Sequence, residues 1–92
     1  MNDYNDSSDK DTAYKEIQVV CYSGYKANEH PVAFSYQDRY WEISEILDRW
    51  YEGGLNPVRW EINYFKVRTP GVQVFILRYS SLLDSWSVRV RN

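Results

Sequence analysis

The chain has 92 residues, of which 43% are hydrophobic and 26% charged, with a formal net charge of -2. That length fits one small domain, and the composition excludes a fibrous or wholly disordered chain. No apolar run approaches the ~18 residues of a membrane-spanning helix, and the acidic start, Met1 to Asp6, is unlike the basic and then apolar opening of a secretory signal, so the expectation is a cytoplasmic protein with no membrane role.

Residues 1–13 carry four aspartates against Lys10 and no periodic apolar positions, which predicts a disordered acidic tail ahead of a domain over 14–92. Within that domain, valine, isoleucine and aromatic residues far outnumber alanine, leucine and methionine, so strands are expected throughout. Ile17 to Tyr22 and Val32 to Tyr36 read as two short strands joined by a connection bounded by Gly24 and Pro31. A tight turn at Gln37-Asp38-Arg39 leads into Tyr40 to Ile43, with Trp41 and Ile43 inward and Tyr40 and Glu42 outward. The stretch 44–52 is ambiguous. Ile43, Ile46, Leu47 and Trp50 fit a helical stripe, and Ile46 and Trp50 also fit a strand shifted by a bulge near Ser44-Glu45; the flanking aromatic pairs favour the bulged strand.

Thr69-Pro70-Gly71 predicts a type II turn, with Pro70 at the position that wants φ near -65° and Gly71 where φ is positive, which makes Tyr64 to Arg68 and Val72 to Tyr79 a hairpin. In the last strand Trp86, Val88 and Val90 alternate with Ser87, Arg89 and Arg91, placing a cationic row in water. The expected fold is all-β: about six short antiparallel strands in a meander, curled into a small SH3-like or partly open barrel and filled by the four tryptophans.

Charge is unevenly spread. The balance is -3 over residues 1–13, -3 over 14–54 and +4 over 55–92, so a weakly acidic protein still has a basic third. Lys66, Arg68, Arg78, Arg89 and Arg91, interleaved with Tyr64, Tyr79 and Trp86, form a candidate nucleic-acid face, since cations track phosphates and aromatic faces stack bases. A second candidate is an aromatic interaction surface of Tyr25, Trp50 and Tyr51, or a free edge strand, that takes a protein partner. The opposed charges also allow the acidic tail to fold back over the basic third.

Catalytic chemistry finds no footing. One histidine, His30, and one cysteine, Cys21, give neither a nucleophile paired with a base nor the four ligands of a structural zinc site. Glu42, Glu45, Asp48 and Glu52 read as the solvated face of an element rather than a catalytic pair, and Gly53-Gly54 lacks the spacing of a phosphate loop. The expectation is a binding module, not an enzyme, with no cofactor and no metal.

The motifs Gly24-Tyr25 with Glu29 and Pro31, 47–52 (Leu-Asp-Arg-Trp-Tyr-Glu), 64–69 (Tyr-Phe-Lys-Val-Arg-Thr), Leu77-Arg78-Tyr79 and Trp86 resemble a family of short uncharacterised bacterial all-β proteins over most of residues 17–90. Some members are encoded near translesion polymerases or other DNA-damage proteins, so the resemblance implies a repair-accessory role. It assigns no activity.

Overall fold

The computed structural model describes residues 13–22, 30–53 and 61–90, and these form seven strands and no helix. They are β1 (Ala13–Tyr22), β2 (His30–Tyr36), β3 (Arg39–Glu42), β4 (Glu45–Gly53), β5 (Glu61–Arg68), β6 (Val74–Ser80) and β7 (Ser85–Val90). The expected tail over 1–13 lies outside the described residues except for Ala13, which opens β1 opposite Val90. One antiparallel sheet runs in the order β3-β2-β1-β7-β6-β5-β4.

The first and last strands of that order are consecutive in the chain, separated only by Ile43 and Ser44. The two edges of the sheet must therefore approach each other there. The Ile43 amide donates to Val32 O at 2.9 Å and the next amide, Ser44, donates to Arg68 O at 2.8 Å, so adjacent residues bond to opposite ends of the sheet. This closure curls the sheet into a half-barrel.

The segment 44–52 is the bulged strand. Ser44 and Glu45 both oppose Arg68, the first through its amide and the second in register. Two residues against one is bulge geometry, which sharpens local twist and lets a single run of chain serve both edges. A second irregularity falls at Leu47, between Ile46 and Asp48.

Turn chemistry departs from the sequence reading at the β5–β6 hairpin. Val72 N–H donates to Thr69 O at 3.0 Å, and Thr69 N–H donates to Gln73 O at 2.9 Å. Gly71 does not have positive φ; Val72 does, at 60°. This is a type I turn followed by a left-handed residue, not a type II turn, and it places a β-branched side chain where Cβ sterics disfavour it. At the β2–β3 hairpin both turn residues, Gln37 and Asp38, have φ near 60°, as a two-residue type I′ turn requires.

The inner face packs two linked aromatic groups. Phe75 lies 5.2 Å from Phe34, 5.0 Å from Trp41 and 6.1 Å from Tyr36, while Trp86 lies 5.6 Å from Phe65 and 5.1 Å from Tyr79. Val67, Leu77 and Val88 fill the space between and are fully buried. Of the four tryptophans expected inside, Trp41 and Trp86 are buried; Trp50 is exposed, and Trp60 lies outside the described residues.

Candidate interaction surface on the outer sheet face

Alternation along β5, β6 and β7 decides which side chains reach solvent. On β5, Phe65 and Val67 are buried, so Tyr64, Lys66 and Arg68 project from the outer face. On β6, Leu77 is buried and Arg78 points outward; on β7, Trp86 and Val88 are buried and Arg89 points outward. Lys66, Arg78 and Arg89 thus share one face on three adjacent strands. Arg68 shares it as well, but its guanidinium is paired with Glu45. Arg91 lies outside the described residues.

Register then adds aromatic residues. Tyr64 sits opposite Trp50 on one side and Arg78 on the other. The Trp50 and Tyr64 rings stack with centroids 5.3 Å apart and planes 5° from parallel. Tyr14, opposite Arg89, completes the strip: its ring meets Tyr64 edge-on at 6.5 Å and lies 4.0 Å beneath the Arg78 guanidinium. Tyr64 O–H donates to Glu52 Oε1 at 3.0 Å. Burial, followed by that bond to an anion, raises the phenol above its ordinary range.

The strip joins residues that the sequence reading kept apart. Trp50 was grouped with Tyr51 and Tyr25, yet it stacks within the basic face. Tyr51 belongs by register to the opposite side of β4, facing Asn63, and Tyr25 lies outside the described residues. Trp50 and Tyr51 both line an open depression of about 400 Å³ together with Arg49, Glu61 and Asn63. Tyr79 and Trp86, taken as interleaved with the cations, belong to the inner face: Trp86 is core, and Tyr79 packs against it and donates to Asp84 Oδ1 at 2.6 Å. Tyr14 was missed because its place is set by pairing with β7, 75 positions later, a register that no local pattern reveals.

Acids frame the strip. Glu45, Asp48 and Glu52 lie on β4 and Glu16 on β1, so the cations occupy the middle strands with negative charge on both flanks. The β4 edge is also poorly suited to accept another strand: it carries the irregularity at Leu47, four charged residues, and an Arg49 amide already bonded to Asp48 Oδ1 at 2.8 Å.

Cys21 is half-buried in β1, and burial raises its thiol above the ordinary value, which disfavours the nucleophilic thiolate. His30 stacks on Tyr22 with centroids 5.0 Å apart. Among the described residues no three His, Cys, Asp or Glu side chains are grouped as metal ligands. No protein-family profile, curated protein or solved structure matches the chain.

Proposed function

We propose that this chain is a small non-catalytic protein-interaction module whose outer sheet face docks a partner. The observation that supports this reading is the Trp50–Tyr64–Tyr14 strip with Arg78 stacked on it, in surroundings of both charge signs. Tryptophan, tyrosine and arginine are the side chains that most often anchor interfaces, because they offer large rigid area together with a polar edge. Alternating charge around such anchors suits another protein surface better than a polyanion, since Glu45, Asp48, Glu52 and Glu16 would repel phosphates at the margins.

The test is site-specific crosslinking in cells with a photoreactive phenylalanine analogue in place of Trp50. A discrete protein adduct that disappears with Arg78→Glu supports the reading. Absence of any adduct, or an adduct unaffected by that substitution, contradicts it.

A second reading, a nucleic-acid or repair-accessory protein, is favoured by Lys66, Arg78 and Arg89 standing on three adjacent strands of one face. Titration with short single-stranded and double-stranded DNA separates the two. Amide shifts on these residues that fade as salt rises would favour nucleic acid.

A further inference from the structure

A separate feature lies at the other end of the sheet, where the half-barrel fails to close. The Ile43 amide bonds to Val32 on β2, so alternation turns the main-chain groups of Trp41 and Arg39 toward β2 and those of Tyr40 and Glu42 away from it. They point to the same side as the Ser44 amide, which bonds to Arg68 on β5. Continuing that ladder by two residues would set Glu42 against Pro70. Proline has no N–H to donate, and the chain is already turning there, so the ladder stops. Among the described residues no backbone bond reaches Tyr40 or Glu42 from that side.

The result is an open cleft of about 390 Å³ between β3 and the β5–β6 turn, lined by Arg39, Tyr40, Trp41, Glu42, Pro70 and Gln73 among others. Its free strand edge is two residues long on the outward side. Tyr40 is 62% exposed above it. Glu42 is exposed and forms no ion pair with a described residue, whereas Arg39, which also lines the cleft, already lies on the Trp41 ring at 4.1 Å. Unlike β4, this edge has no bulge, and among the described residues no side chain bonds to its outward amides.

We propose that this cleft is a docking site for an extended segment of a partner protein, which adds as a short strand to β3 and places a lysine or arginine against Glu42 and Tyr40. Main-chain groups of Tyr40 and Glu42 supply the hydrogen bonds of strand addition, and the carboxylate with the adjacent ring selects a cation. The site goes beyond the outer-face reading and shares no residue with it.

The experiment uses the full chain and amide shift titration with three capped pentapeptides: Val-Lys-Val-Lys-Val, the same peptide N-methylated at both lysines, and Val-Glu-Val-Glu-Val. The first should shift Tyr40, Glu42, Gly71 and Gln73, and the other two should bind at least about tenfold more weakly. N-methylation at the valines, whose amides face away from β3, should leave binding intact. Glu42→Lys, an exposed substitution, should reverse the preference between the lysine and glutamate peptides. Equal binding of the lysine-methylated peptide, shifts confined to Trp50, Tyr64 and Arg78, or no shifts at millimolar peptide would each overturn the proposal.

Discussion

Phe65 and Tyr64 are neighbours in β5, and both are aromatic, yet they have different physical roles. Phe65 points inward, 1% exposed, and leans on Trp86; Tyr64 points outward, stacks on Trp50 and holds its hydroxyl on Glu52. Inside, each ring is surrounded by other apolar groups, so removing one leaves a void that a close-packed core cannot refill. Outside, the rings of Trp50, Tyr64 and Tyr14 touch one another across strands but remain partly open to solvent, so truncating one leaves no enclosed void. The comparison teaches that alternation divides the aromatic residues of one strand between core and surface, and that cross-strand register then gathers Trp50, Tyr64 and Tyr14 into one outer strip.

The largest effect expected is on the inner face. Phe65→Ala should lower stability by about 3–5 kcal/mol, a large share of the ~5–10 kcal/mol expected of a small domain, read as loss of the cooperative urea transition. Next is the left-handed Val72. Val72→Gly removes the steric cost of a β-branched residue at φ 60° and should raise stability by about 0.5–1 kcal/mol after the entropy of glycine in the unfolded chain is counted. An unchanged melting temperature would contradict the turn assignment.

The two bonded tyrosines sharpen the contrast at alkaline pH. The Tyr79 phenol is held up, from 10.0 to about 12, first by its hydrogen bond to Asp84 and then by burial. Because the folded value lies above the unfolded one, its contribution is complete below pH ~10 and is lost as pH rises from there through about 12. Tyr79→Phe should make the fall in stability over that window shallower. The smallest effect belongs to the outer ion pair: Glu45→Gln should cost less than about 0.5 kcal/mol and lose that difference in high salt, as exposed pairs do.

Much of the fold was legible in residue order. Alternation located Trp41, Trp86 and Val88 on the inner face, because a strand's period of two is a local property. The bulge at Ser44-Glu45 was legible too, from the shift in apolar phase between Ile43 and Ile46. The turn at Thr69 to Gln73 was misread because Pro70-Gly71 suits a type II turn locally, and the hydrogen bonds of the flanking strands instead put the left-handed residue one position later. The site was half legible. Lys66, Arg78 and Arg89 could be placed on one face from their own strands, but joining Trp50 and Tyr14 to them required the β4–β5 and β1–β7 registers, and the latter is a long-range pairing.

The central claim is that the inner aromatic residues hold the fold while the outer strip is available to a partner. Equilibrium urea unfolding of Trp86→Ala and Trp50→Ala, side by side, tests it most directly. The account predicts a loss of about 3–5 kcal/mol for Trp86→Ala and less than about 1 kcal/mol for Trp50→Ala, whose ring gains only a cross-strand stacking contribution. A loss for Trp50→Ala as large as that for Trp86→Ala would make the outer strip a second structural core and remove its claim to be a recognition surface.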